Sequence, residues 1–264
     1  MKQYNRNQLI TVLKETLWRD DFRPSANYLE GRTLLITGAT GGIGRAVALG
    51  AAGCGATLIL ASRNVARAEE LYDEIVQRQW PEPLIYPVDL AGATLNNYEE
   101  MADAIGAQTQ GLDGVVHLAA DFQGLKPLEQ SGAEAWERTL TANATAPHWI
   151  NQAVLPLLRK SDQARIIFTL DDPKRVSRAY WGAYGVGKSA LTALAAMTAS
   201  ELEGYGIEVN AVAPPPTATG LRSRAYVAED PAELQAPEAL VPAYLWLLGA
   251  HERPITGEVI TYDA

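Results

Sequence analysis

One stretch limits the folds open to this chain more than any other: Leu34 to Gly44, which reads Leu-Leu-Ile-Thr-Gly-Ala-Thr-Gly-Gly-Ile-Gly. Thr33–Thr37 has the character of a short apolar strand buried on both faces of a parallel sheet. Gly38, Gly42 and Gly44 form a Gly-x-x-x-Gly-x-Gly turn, and residues 45–52 continue with helical character. Glycines permit a tight turn and a close backbone approach. The free amides and the positive dipole at a helix N-terminus then receive a pyrophosphate. Many turns carry three glycines; this triplet gains its weight from the strand before it and the helix after it.

The chain has 264 residues, enough for one large α/β domain with a substantial core. Its 31 acidic and 22 basic residues give a net charge of −9, and no basic cluster offsets it. That argues against nucleic acid or an anionic membrane surface as a partner. Cys54, the only cysteine, rules out an internal disulfide and suits a reducing cytoplasm. No apolar run nears the ~20 residues of a membrane span, and residues 1–20 are polar and mixed in charge, unlike a signal peptide. His117, His148 and His251 lack ligand spacing, so no metal site is expected.

From Gly31 onward strand and helix alternate, the pattern of a doubly wound parallel sheet of about seven strands. Strands are expected at Thr33–Thr37, 57–61, 84–88, 114–118, Arg165–Thr169, Glu208–Val212 and Glu258–Thr261. Helices are expected at 67–78, 97–109, 133–158, 184–203 and 237–249. Residues 31–264 read as one domain, preceded by an extension of residues 1–30. In that extension Leu9, Val12, Leu13, Thr16 and Leu17 recur at helical spacing and predict an amphipathic helix over residues 7–19. Residues 214–237 form the longest irregular segment and read as a mobile lid over the substrate.

Two further segments carry chemistry. The end of the second strand lies beside the adenosine ribose in this architecture; an acidic residue there selects NAD, and an arginine suits the 2′-phosphate of NADP. The sequence offers Ser62, Arg63 and Asn64 and no carboxylate, which favours NADP. Asp89, closing the third strand, is either an adenine contact or a helix N-cap. The second segment is Tyr184-Gly-Val-Gly-Lys188, whose phenol and ammonium share a helix face. A free tyrosine ionises near pH ~10. A cation within a few ångströms lowers that by ~1–3 units, into the range of general acid–base work.

With these residues the chain resembles the short-chain dehydrogenase/reductase family, from about residue 29 to the C-terminus. Residues 37–44 match the family's Thr-Gly-x-x-x-Gly-x-Gly turn, Asp89 its adenine-contacting aspartate, Asn143 its helix asparagine, and Tyr184 and Lys188 its catalytic pair. The resemblance implies a Rossmann-type fold and hydride transfer between NADP(H) and a carbonyl or alcohol carbon. Tyr184 exchanges a proton with the substrate oxygen, Lys188 depresses the tyrosine pKa and binds the nicotinamide ribose, and Asn143 holds a water in the relay. The implied cofactor contacts are Gly38, Thr40, Gly42, Ile43, Gly44, Ser62, Arg63, Asn64, Asp89, Leu90, Ala119, Tyr184, Lys188 and Thr217.

Three departures from the pattern fall on the nicotinamide and substrate side. The family's serine, thirteen residues before the tyrosine, is Asp171 here. An ionised carboxylate repels a developing oxyanion and raises the tyrosine pKa; a protonated one could donate as serine does, and the alternative is a side chain turned away or paired with Lys174 or Arg175. The expected Asn-Ala-Gly reads Leu118-Ala119-Ala120, and the expected Pro-Gly turn reads Pro214-Pro215-Pro216-Thr217. Two functions are therefore open: an NADP(H)-dependent reductase with an atypical substrate site, or a nucleotide-binding protein whose catalysis is impaired. Phe122 and Trp181 suggest an apolar wall for a small-molecule substrate, with Tyr226 nearby in the 214–237 segment. Ala190, Ala193, Ala195, Ala196 and Ala199 give one helix a smooth face, and the family pairs such helices in dimers and tetramers.

Overall fold

The computed structural model describes residues 13–19 and 21–263. Eight parallel strands make one sheet: β1 (Lys14–Leu17), β2 (Thr33–Thr37), β3 (Thr57–Ser62), β4 (Leu84–Pro87), β5 (Gly114–His117), β6 (Arg165–Thr169), β7 (Glu208–Val212) and β8 (Glu258–Thr261), in the order β1-β8-β7-β6-β5-β2-β3-β4. The seven expected strands all form; their bounds differ from expectation by one residue at most, at their C-terminal ends. Around them lie α1 (Gly42–Gly53), α2 (Val65–Gln77), α3 (Leu95–Gln108), α4 (Ala133–Leu140), α5 (Ala146–Leu158), α6 (Pro173–Val176), α7 (Gly182–Leu202), α8 (Gly220–Ala225) and α9 (Val241–Leu248).

The core follows from strand periodicity. Successive side chains point to opposite faces of a sheet, so a strand that is apolar throughout must be covered on both sides. Leu35, Ile59, Val115, Ile166 and Val209 face one layer, against Tyr98 and Met101 of α3, Ile150 and Val154 of α5, and Leu191 of α7. Leu34, Ile36, Leu58, Val116, Ile167 and Val212 face the other, against Val47 and Ala51 of α1, Leu71 of α2 and Tyr244 of α9. The chain winds outward from β2 to β4 on one side and from β5 to β8 on the other. The strand order therefore reverses between β2 and β5, and the crevice at the carboxyl ends of these strands is where such sheets bind ligands.

Three expectations on the elements need correction. Residues 14–17 form an edge strand and not the predicted helix; Lys14 pairs with Glu258 and Leu17 with Thr261 of β8. Thr16 Oγ1 donates to Glu258 at 2.7 Å, and Trp18 packs edge-on to Trp246. The open edge of β8 supplies backbone partners that a weak helical spacing cannot outweigh. The remainder of the predicted helix, residues 7–12, lies outside the described residues. Second, the single helix expected over 133–158 is broken into α4 and α5 by a π-turn at Thr141–Thr145. Third, the segment read as irregular carries a short helix, α8, and is tied at its base by a bridge between Thr217 and Gln235, while most of the rest of it stays irregular as expected. Among the described residues no helix is long and apolar enough to cross a membrane.

Candidate active site

The carboxyl ends of β2, β3, β5 and β6 open into one cleft of about 960 Å³, covered by α8. Every expected cofactor contact lines it, from Gly38 to Thr217, as do Asp171, Tyr184 and Lys188; Asn143 stands behind the wall.

The glycine turn shows its requirements directly. Gly38 has φ +69°, in the left-handed region, and a Cβ there would lie 2.6 Å from the Ala119 backbone. At Gly44 a Cβ would lie 2.0 Å from the Gly38 carbonyl oxygen. Helix α1 therefore starts hard against β2. Among the described residues no side chain caps it and its first turn holds no carboxylate. By contrast α2 is capped by Asn64, α6 by Asp172 and α8 by Thr219. Uncapped amides at the end of a 12-residue helix that opens onto the cleft are the donor set a pyrophosphate requires. Thr40 Oγ1 and Ser62 Oγ lie 3.1 Å apart on the same rim, and Arg63 beyond them is two-thirds exposed, at 67% of its side-chain surface. The residues present fit a dinucleotide carrying an additional phosphate on its adenosine end.

Asp89 is tied down from several sides. Its Oδ1 accepts from the Ala91 amide at 3.3 Å, its Oδ2 accepts from Arg138 Nη2 at 3.1 Å, and Arg63 Nη1 stands 3.9 Å from Oδ1. Arg138 escaped the sequence reading because its partner lies in another element, 49 residues away, with no local spacing to mark the pair. Leu90 contributes its carbonyl, which accepts from the Tyr98 hydroxyl at 3.2 Å.

The catalytic candidates sit where β6, α6 and α7 meet. Tyr184 and Lys188 lie on the buried face of α7, and Gly185 and Gly187 keep that face thin: a Cβ on Gly187 would meet Asn143 Cβ at 2.9 Å. The Tyr184 hydroxyl donates to Asp171 Oδ2 at 2.7 Å. The other carboxylate oxygen accepts from the Asp172 amide at 2.7 Å and from Arg175 Nε at 3.1 Å, with Arg175 Nη2 closing the ion pair. Asp171 thus pairs with Arg175, one of the expected alternatives, and at the same time accepts the Tyr184 proton in a hydrogen bond that the sequence reading did not foresee. Burial, with the Asp171 charge and hydrogen bond behind it, pushes the Tyr184 phenol well above its ordinary value, although Arg175 pulls it down. The lowering expected from Lys188 is not found: Arg175 is the group that pulls the phenol down, and the net shift is upward. The Lys188 ammonium donates to the Thr169 carbonyl at 2.8 Å, and desolvation lowers its pKa to about 8.

Asn143 sits in the π-turn with both ends of its carboxamide engaged: the Asp121 amide donates to Oδ1 at 2.9 Å, and Nδ2 donates to the Asp121 carbonyl at 2.8 Å. Thr139 Oγ1 in turn donates to the Asp121 carboxylate at 2.7 Å. These bonds brace the loop after β5, where Leu118 stands in place of the expected asparagine and the amide of the next residue, Ala119, donates only a long bond, 3.4 Å, to Thr37 Oγ1. Thr217, expected as a cofactor contact, donates its Oγ1 hydroxyl to the Pro215 carbonyl at 2.7 Å within its own turn. Phe122 and Trp181 do pack together, with Tyr184 and Tyr226 added to them, in one aromatic cluster with ring centroids 5.2–6.2 Å apart. His117 is buried against Asn151 at 2.8 Å, and desolvation holds it neutral, its pKa lowered to about 4.

The family profile of the short chain dehydrogenases matches residues 32–230. The chain belongs to that family. It is 35% identical over 243 residues to the uncharacterized oxidoreductase YciK of Escherichia coli, covering 92% of this chain and 95% of that protein. A solved short chain dehydrogenase from Pseudomonas syringae superposes with a TM-score of 0.86 at 38% identity, covering 91% of this chain and 98% of the other. Another, from Escherichia coli CFT073 in complex with NADPH, gives 0.85 at 34% identity, covering 90% and 98%. The short chain dehydrogenases are oxidoreductases; in this one the carboxylate of Asp171 is bonded to the tyrosine hydroxyl.

Proposed function

We propose that this short chain dehydrogenase is an NADP(H)-dependent oxidoreductase that moves hydride between the nicotinamide and the carbonyl or alcohol carbon of a small molecule, with Tyr184 as general acid and base. The observation that carries this reading is a neutral tyrosine with its proton held in a hydrogen bond, four residues from a buried lysine, in the cleft onto which the uncapped end of α1 opens. The glycine turn would hold the pyrophosphate, Arg63 with Ser62 and Asn64 the adenosine phosphate, and Lys188 the nicotinamide ribose. When bound, NADPH supplies the hydride. The NADPH complex of a relative at 34% identity supports the choice of cofactor.

In the reductive direction the substrate oxygen must take the Tyr184 proton that Asp171 now accepts. Arg175 offsets the charge of Asp171, so the carboxylate facing the substrate oxygen is half of an ion pair and less repulsive than a bare one. Thr169 supplies no substitute hydroxyl, because its Oγ1 lies 2.9 Å from the Tyr244 hydroxyl. Residues 31–264 are read as a single Rossmann-type unit, to which β1 adds an edge. A reducing cytoplasm suits its buried, unpaired Cys54.

The test is NADPH consumption by the purified protein across a panel of ketones and aldehydes. Tyr184→Phe should lower turnover about 100-fold or more while leaving NADPH binding nearly unchanged. Equal turnover by the variant would remove Tyr184 from its role. The second reading, a nucleotide-binding protein with impaired catalysis, is favoured by the same Tyr184–Asp171 bond, which competes for the proton. Asp171→Ser separates the two: a gain in turnover marks the carboxylate as inhibitory, and a loss marks it as part of the working site.

A further inference from the structure

Two arginines converge on one carboxylate at the adenosine end of the cleft, and they come from opposite sides. Arg63 follows β3 and lines the cleft; Arg138 belongs to the last turn of α4 and stands behind Asp89. The contacts are unequal. Arg138 Nη2 is within hydrogen-bond distance of Asp89 Oδ2, at 3.1 Å, whereas Arg63 Nη1 is 3.9 Å from Oδ1. Arg138 and Asp89 are also the more buried partners, at 36% and 39% of their side-chain surfaces against 67% for Arg63. The carboxylate is therefore claimed from behind, and the exposed guanidinium is left facing solvent.

We propose that Arg138 determines cofactor specificity from a distance: by holding Asp89 it keeps Arg63 available to an adenosine 2′-phosphate and cancels a negative charge that would repel that phosphate. The proposal rests on the NADP(H) reading above. Its physics is competition for one guanidinium. A free Asp89 would draw Arg63 across the short gap into a one-to-one pair and spend the charge that the phosphate needs. NADH lacks the phosphate, so its affinity gains nothing from Arg63 and loses nothing when Arg63 is occupied. Arg138 touches no cofactor in this account; it is a positioning residue.

The experiment is calorimetric titration of the full chain with NADPH and, separately, NADH, for wild type, Arg138→Gln, Asp89→Asn and the double variant at one ionic strength. Arg138→Gln should weaken NADPH about threefold to fivefold and NADH by less than about 1.5-fold, the upper part of the range of one partly exposed ion pair. Asp89→Asn on that background should restore the NADPH preference, because the competitor for Arg63 is then uncharged; the four proteins form a double-mutant cycle. Equal weakening of both cofactors in Arg138→Gln, or no rescue in the double variant, overturns the proposal. Should Arg138→Gln fail to fold, Asp89→Asn alone decides. Its NADPH-to-NADH affinity ratio must be at least that of wild type, and a fall contradicts the proposal. A wild-type chain that binds NADH as tightly as NADPH would instead defeat the cofactor reading itself.

Discussion

Lys188 is the residue at which function and stability pull hardest against each other. Its ammonium is buried with one carbonyl partner, and desolvation brings its pKa down to about 8 from the ordinary 10.5. The folded chain therefore holds this proton less tightly than the unfolded chain does. Below pH 8 both states are protonated and the burial penalty stands in full; between about 8 and 10.5 the penalty fades and stability rises with pH. Lys188→Met should accordingly raise stability at pH 7 by about 2 kcal/mol, after allowing ~1 kcal/mol for the lost bond to Thr169. It should also flatten the alkaline side of the stability profile while abolishing activity. Urea titrations across that pH range check the sign. The pairing of Tyr184 with Lys188 was legible in the sequence because i and i+4 fix one helix face. The bond from Tyr184 to Asp171 was legible only as a matching spacing. Which way Asp171 turned depended on Arg175, one turn further along, and on the Asp172 amide, neither of which a spacing can orient.

At the scale of elements, the turn from β2 into α1 depends on absent side chains. A methyl on Gly44 would overlap the Gly38 carbonyl, and Gly38 itself needs a positive φ. Gly44→Ala should cost about 1–3 kcal/mol, in the range of overpacked or strained core sites, and weaken NADPH binding by moving the α1 amides. Chemical denaturation and calorimetry read the two effects separately; full stability with unchanged binding would contradict this account of the turn. The central strands β2, β3, β5 and β6 were legible because each carries an unbroken apolar run bounded by turn residues. The edge strand β1 was not, since Lys14, Glu15, Thr16 and Leu17 carry no pattern of their own and gain order only from the partner strand β8. The π-turn was equally hidden. Its purpose shows only in three dimensions, where it places Asn143 against Asp121.

Across the whole molecule, the smooth face expected of the Tyr184 helix divides in two. Ala195 and Ala199 are buried within the chain, while Val186, Ala190, Ala193 and Met197 are exposed along one stripe of α7. Exposed apolar residues at helical spacing, on a helix whose other face holds the site, fit a two-fold contact with a second copy. Met197→Glu should shift the protein toward monomer in sedimentation equilibrium and lower its melting temperature; an unchanged mass would show that this face is not the contact. Because the site hangs from α7, monomerisation would also reach Tyr184. The central proposal is hydride chemistry in this cleft with the tyrosine held by a carboxylate. The most direct measurement is single-turnover oxidation of protein-bound NADPH by a carbonyl panel, followed by nicotinamide absorbance in wild type, Tyr184→Phe and Asp171→Ser. Oxidation in the wild type that disappears in Tyr184→Phe is the predicted result. Silence in the wild type with every carbonyl, together with turnover in Asp171→Ser, would contradict it and make the Asp171–Tyr184 bond a lock.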